Sequence, residues 1–298
     1  MVLESKILYV MGDGRSGSTI LGIILGNHSS IECVGELRRW LEFGGYPKPG
    51  TEKQSVHAFW EAVRTQYSQS SPLSNIPVLL QAQIIVESFA RFPLVLLGLL
   101  PASIKETYES HLLKLFDALA MVSQKSVIVD TSKNMGRAYS LLHIARGRVK
   151  VIHLVRDPRG VLWSQLKKNI EQDYKSPLKS MFHYSIKNFL SHLVRWVMPK
   201  GAILQVRYED LVNRPLDELR RIGLFIDIPM DGLAERVVNG DPLTIGHLID
   251  GNRIRKQSAI RIRPDHEWQL NLSAGYRFLA VLMTLPFFFL YGYYKHER

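Results

Sequence analysis

Short apolar runs alternating with helical stretches predict an α/β fold: a P-loop-like, mainly parallel central sheet flanked by helices, in one domain over residues 1–298. Two further observations support this fold class. Each polar motif of interest directly follows an apolar run, where the carboxyl ends of parallel strands place a ligand. The 298 residues, 46% hydrophobic and 22% charged, are enough for one large core and argue against disorder.

Residues 6–11 form an apolar run ending in glycine, which reads as a buried strand. A turn over 12–17 and an apolar helix over 18–25 follow, then a second strand over 31–34 that opens into Gly35 and Glu36. Residues 51–122 read as a helical insertion, broken near Ser71-Pro72, Pro93 and Pro101. An insertion of this kind between strands often forms a lid or an acceptor wall. Residues 126–129 read as a strand running into Asp130-Thr131-Ser132-Lys133-Asn134. A strand over 149–155 leads to Arg156-Asp157-Pro158 and a helix over 159–168; a further strand covers 202–206 and a further helix 215–224.

The formal net charge of +11 favours anionic partners. No run of five or more consecutive Lys or Arg occurs, so nucleic acid is not the expected partner. The single cysteine, Cys33, excludes an intrachain disulfide framework and a cysteine-based zinc site, and no histidine pair has clear metal-ligand spacing. The N-terminus lacks the pattern of a signal peptide, so a cytoplasmic location is expected. The uncharged segment 278–294, interrupted by Pro286, is expected to be a buried C-terminal helix and tail, with peripheral membrane contact as the alternative.

The turn reads Gly12-Asp13-Gly14-Arg15-Ser16-Gly17-Ser18-Thr19. It has the glycine spacing and final threonine of a Walker A loop, but Ser18 stands where that loop carries the lysine that reaches the β- and γ-phosphates. Strand, glycine turn and helix N-terminus together suit one phosphate group, and Arg15 adds a planar cation. A second element, Val151 to Ser164, delivers Arg156 at a strand end and Ser164 on the second turn of the next helix, so that both converge on one anion.

The first turn resembles the 5′-phosphosulfate loop of sulfotransferases that use 3′-phosphoadenosine 5′-phosphosulfate (PAPS). Its Arg-Ser-Gly-Ser-Thr form is similar to the carbohydrate and tyrosylprotein branches. The resemblance implies sulfuryl transfer by in-line displacement from PAPS, leaving 3′,5′-phosphoadenosine, with no metal. It implies that Gly14, Arg15, Ser16, Gly17, Ser18 and Thr19 hold the 5′ side and that Arg156 and Ser164 hold the 3′-phosphate. It places the acceptor base at Glu36, with Lys133 and Arg15 as charge-stabilising cations. Tyr208 is expected near the nucleotide or packed in the core, Arg253 on a late basic loop that closes over the nucleotide, and Asp130 orienting Lys133 or a loop amide. Glu209 and Asp210 are expected to cap the turn that follows. His153, inside an apolar strand, and His28 are expected to be structural. The acceptor stays open among sugar, lipid-linked glycan, phenol and peptide tyrosine hydroxyls. Two other readings are a P-loop small-molecule kinase, which Ser18 argues against, and a non-catalytic nucleotide-binding protein.

Overall fold

The structure, a computed structural model, describes residues 5–50, 53–167, 176–251, 254 and 257–296. Along the chain run β1 (Lys6–Gly12), α1 (Ser18–Gly26), β2 (Ile31–Gly35) and the short α2 (Arg39–Glu42). The insertion follows as α3 (Gln54–Ser68), α4 (Ile76–Val86), α5 (Phe92–Leu96) and α6 (Ala102–Ser123). Next come β3 (Val127–Lys133), α7 (Met135–Ile144), β4 (Val149–Val155), α8 (Pro158–Leu166), α9 (Pro177–Val197) and β5 (Ile203–Arg207). The chain continues through α10 (Tyr208–Asn213), α11 (Pro215–Ile226), α12 (Asp231–Val238), β6 (Leu243–Thr244) and β7 (Ala259–Ile260). It ends in α13 (Glu267–Asn271), α14 (Ala274–Met283) and α15 (Leu285–Leu290).

Five strands form a sheet in the order β2-β3-β1-β4-β5, every pairing parallel. The expected single α/β domain with a helical insertion is therefore the observed one. The central strands are buried on both faces, which is why they read as continuous apolar runs rather than alternating ones. Ile7, Tyr9 and Met11 of β1 enter the core built with the insertion helices, while Leu8 and Val10 enter the core under α1, α11 and α12. The connections leaving β1 and β4 run to opposite faces: α1 joins the second core, and α8 packs with α9 and α14. Their carboxyl ends thus flank a topological switch point, the place where open α/β sheets bind ligands.

Several elements differ from expectation, and two of them bear on the site. β3 extends through Lys133, because parallel pairing to β1 continues to Met11 opposite Lys133 after an irregularity. The helix α9 was not anticipated between 168 and 202, and it contributes to the site below. Among the described residues no single helix is long and apolar enough to cross a membrane. The 278–294 segment is two short helices joined at Thr284. Its Phe288, Tyr291 and Tyr293 are buried and its Phe278, Phe289 and Leu290 exposed.

Candidate active site

The phosphate turn owes its shape to backbone states that few side chains allow. Gly12 has φ 149°, and a Cβ there would stand 2.3 Å from the Leu154 carbonyl oxygen on β4. Gly17, at φ 93°, is the N-cap of α1, and a Cβ there would stand 2.3 Å from the Tyr208 ring. Its N-cap, Gly17, has no side chain with which to cap α1, which suits the first amides of the helix to a ligand. Ser16 Oγ is buried without a hydrogen-bond partner among the described residues, and the space beside Gly14 is open. A buried, partnerless hydroxyl beside an uncapped helix start fits a phosphate or sulfate group.

Arg156, at the end of β4, closes one side of this turn. Its Nη1 donates to the Arg15 carbonyl at 2.9 Å, its Nη2 pairs with Asp265 at 2.7 Å, and its guanidinium lies 4.4 Å from the centre of the Tyr208 ring. Tyr208 is accordingly both packed in the interior and adjacent to the phosphate turn. Ser164 is half-buried on α8. Asp157 caps that helix by accepting from Arg159 N at 2.8 Å and pairs with the Arg159 side chain, whose guanidinium stacks on Trp268. Trp268 of α13 therefore packs onto the strand–helix junction that carries Arg156. Arg253 lies outside the described residues; Gly251, two positions earlier, approaches Thr19, where a Cβ would stand 3.4 Å from Thr19 Cγ2.

On the other side of the turn, Glu36 and Lys133 form a direct pair: Lys133 Nζ donates to Glu36 Oε1 at 2.7 Å and to the Thr131 carbonyl at 3.0 Å. Burial pushes the Glu36 carboxyl up. The Lys133 ammonium, with Arg39 and Arg38 behind it, outweighs burial and leaves the group below the usual carboxylate range. Glu36 is thus an ionised proton acceptor at neutral pH. Both residues line a cleft of about 520 Å³ together with Ile84, Phe89 and Lys187. Lys187 Nζ pairs with Asp13 of the phosphate turn at 2.7 Å, so one cation joins the turn to the Glu36 cleft.

A buried network fixes this arrangement. Asp130 accepts from Ser132 N at 2.9 Å and pairs with Arg137 Nε at 2.8 Å, so it orients a main-chain amide, which lies in β3 rather than in a loop, and not Lys133. Arg137 also faces Glu87 of the insertion, which pairs with Arg38 at 2.9 Å and accepts from Tyr108 OH at 2.7 Å. Asn134 donates to the Glu87 carbonyl at 2.8 Å and, through its main-chain N–H, to Tyr9 OH at 2.6 Å. The insertion is thereby tied to the strand end that carries Lys133.

The structure corrects the expected role of Glu209. Rather than capping a turn, it is half-buried beside the end of β4, accepting from Asp157 N at 2.9 Å and from Tyr293 OH at 3.2 Å. Asp210 does pair locally, with Arg214. His153 is fully buried and held neutral, burial pushing its pKa down to about 3. His28 accepts from Ser30 N through Nδ1 and faces the Pro229 carbonyl through Nε2. Both are structural, as expected. Lys187, Arg38 and Asp265 were missed. Only Lys187 left a signal: it falls at core spacing between Tyr184, Ser191 and Val194 on the buried face of α9.

Comparison with known proteins bears on the family. A profile of the sulfotransferase family matches residues 8–232. Carbohydrate sulfotransferase 1 of Rattus norvegicus is 29% identical over 157 residues, covering 45% of this chain and 36% of the rat protein, and the Homo sapiens protein matches to the same extent. The match thus spans about a third of those relatives' length. Among solved structures, the sulfotransferase domain from the Synechococcus PCC 7002 olefin synthase superposes with a TM-score of 0.55 at 21% identity, covering 94% of each chain. The sulfotransferase domain from the curacin biosynthetic pathway gives 0.53 at 16% identity, covering 93% of this chain and 96% of its own. At these identities the structural likeness establishes the fold.

Proposed function

The chain belongs to the sulfotransferase family, and from that premise we propose that it moves a sulfuryl group from PAPS to an acceptor hydroxyl. One observation carries the reading: a phosphate turn whose buried Ser16 hydroxyl has no partner among the described residues is joined, through the Lys187–Asp13 pair, to a cleft lined by an ionised Glu36 paired to Lys133.

PAPS supplies an activated sulfuryl group whose bridging oxygen departs with the 5′-phosphate. The residues then divide the work by position. The amides of the 12–17 turn, Ser16, Ser18, Thr19 and Arg15 hold the 5′ side, and Arg15 also meets the charge that develops on the transferring group. Arg156 exchanges Asp265 for the 3′-phosphate, with Ser164 as second donor and Tyr208 beneath. Glu36 takes the acceptor proton, and the adjacent Lys133 steadies the negative charge that builds nearby. Lys187, held at Asp13, adds a further cation at the rim. Among the described residues no group of three or more His, Cys, Asp or Glu is placed to hold a metal ion, and the reading invokes none. The names of the curated relatives favour a sugar hydroxyl as acceptor; a lipid-linked glycan, a phenol and a peptide tyrosine share the same chemistry.

Ligand-dependent thermal unfolding tests the donor. Saturation with 3′,5′-phosphoadenosine, without magnesium, raises the melting temperature, by about 2.7 kcal/mol of added stability at one hundred times Kd. A strong shift with magnesium-ATP instead would sink the proposal in favour of a kinase. Arg156→Ala weakens the 3′,5′-phosphoadenosine shift. Glu36→Gln keeps the shift and lowers turnover by about 10²–10⁴-fold; normal turnover in that variant moves the base elsewhere.

A further inference from the structure

The wall of the cleft opposite Lys187 is apolar on its outer side as well as its inner one. Val78, Ile84, Phe89, Leu94, Leu97 and Leu99 all project into solvent from the insertion. Between residues 73 and 104 the only charged side chains are Glu87 and Arg91. Glu87 is buried in its pairs with Arg38 and Tyr108, so the exposed surface of this stretch carries no negative charge. A soluble protein rarely leaves such a patch bare without using it.

The neighbouring surface has the same character. Lys187 of α9 lies 5.7 Å from the centre of the Phe89 ring, so α9 borders the insertion at the mouth of the cleft. Along α9, Phe182, Phe189 and Trp196 recur at seven-residue spacing on an exposed stripe, and the helix adds the exposed cations Lys179 and Arg195 but no acid. α14, joined to α9 by the Ser185 hydroxyl donating to the Met283 carbonyl, and α15 likewise contain no acid. Exposed apolar side chains interleaved with cations and free of acids complement an anionic lipid surface. The paired segments Leu73–Val86 and Phe89–Leu96 are apolar enough for a span but bent by 61°, and their inner residues pack into the core. That geometry suits a helix pair lying in the interface plane.

We propose that the insertion is a membrane-interface dock: its 94–99 edge enters an anionic bilayer surface, and the acceptor is the headgroup hydroxyl of an amphiphile presented there to Glu36. The acceptor part rests on the sulfotransferase reading above; the docking part does not. Ile84 and Phe89 line both the catalytic cleft and the exposed face, which gives the acyl portion of such an amphiphile an apolar path to the bilayer.

Vesicle flotation of the full chain tests it, comparing phosphatidylcholine vesicles with vesicles that also contain phosphatidylglycerol. The chain floats with the anionic vesicles. Leu97→Asp combined with Leu99→Asp, at positions 69% and 64% exposed and therefore tolerant in the fold, lowers partitioning at least about tenfold. The same double variant keeps its thermal shift with 3′,5′-phosphoadenosine. No flotation, equal flotation on both vesicle types, or flotation unaffected by the double variant overturns the dock and leaves the sulfotransferase reading standing. A wild-type dimer that the double variant splits, without vesicle binding, assigns the patch to a second copy and likewise overturns it. Flotation without any 3′,5′-phosphoadenosine shift overturns the acceptor assignment, because the reading it rests on has then failed.

Discussion

Arg15 and Lys133, two of the cations assigned to the reaction, share a backbone state that their side chains disfavour. Their φ values are 68° and 69°, and among the described residues only Gln124 and Asp227 are further non-glycine examples. Holding a residue with a Cβ in this region costs on the order of 1–2 kcal/mol. At Arg15 the geometry accompanies a carbonyl turned toward Arg156; at Lys133 it accompanies an ammonium that folds back to Thr131 and Glu36. A comparison of two substitutions isolates the strain. Lys133→Ala and Lys133→Gly both remove the amine and its pair with Glu36, so both lose turnover. The glycine variant is nonetheless more stable than the alanine variant by about 1 kcal/mol in urea unfolding, because only glycine accepts this φ without cost. Equal stabilities would mean that the backbone at Lys133 is unstrained.

At the scale of elements, the insertion is joined to the sheet by charge as well as by apolar packing. Arg137, with no exposed side-chain surface, sits between Asp130 of β3 and Glu87 at the end of α4. Removing one member of a buried ionic group leaves its partners uncompensated. Arg137→Met therefore destabilises the fold by about 3–5 kcal/mol in denaturant titration, and Tyr108→Phe, which removes one donor to Glu87, by about 1–3 kcal/mol. A near-neutral Arg137→Met would show that the network is dispensable for stability. This network also marks where sequence reading stops. The turn at Gly12 to Thr19 was legible because its glycines, strand and helix are contiguous, and β4 with Arg156 was legible for the same reason. Glu36 and Lys133 were legible as strand-end residues, but their direct pairing depends on β2 and β3 flanking one another in the sheet. Glu87 lies within an apolar stretch with no motif, and its partners come from the residue preceding α2, from α6 and from α7. Asp265 reaches Arg156, and Lys187 reaches the phosphate turn, each from more than a hundred residues away, and no local pattern encodes those approaches. Glu209 was misread for a related reason: an acid just after a strand looks like a cap until Tyr293 of the C-terminal segment is seen to cover it.

That covering connects the C-terminal segment to the sheet. The tail seats Tyr293 against Glu209 and Arg207, and Phe288 against Arg159, behind the strand that carries Arg156. Tyr184 of α9 completes the enclosure by donating to the Arg156 carbonyl at 2.8 Å. Burial, reinforced by the nearby Asp157 charge, pushes the Glu209 carboxyl up to about 7 from its ordinary 4.5. Between those two values the folded chain holds a proton that the unfolded chain has released, so stability falls as pH rises through this window and levels off above it. Glu36 and Asp265 act in the opposite sense. Burial works against each, but cationic partners hold both below their ordinary values, so the stability they contribute is present above those values and lost in more acidic solution. The two limbs are therefore separated, and Glu209 alone among these three governs the range from about 4.5 to 7. Urea unfolding at pH 5 and at pH 8 should show the wild-type chain losing stability on the order of 3 kcal/mol relative to Glu209→Gln, whose neutral amide cannot titrate. Parallel pH profiles for the two proteins would mean that Glu209 is already ionised in the folded state. The closure of the C-terminal segment over the back of β4 would then be looser than the Tyr293 contact implies.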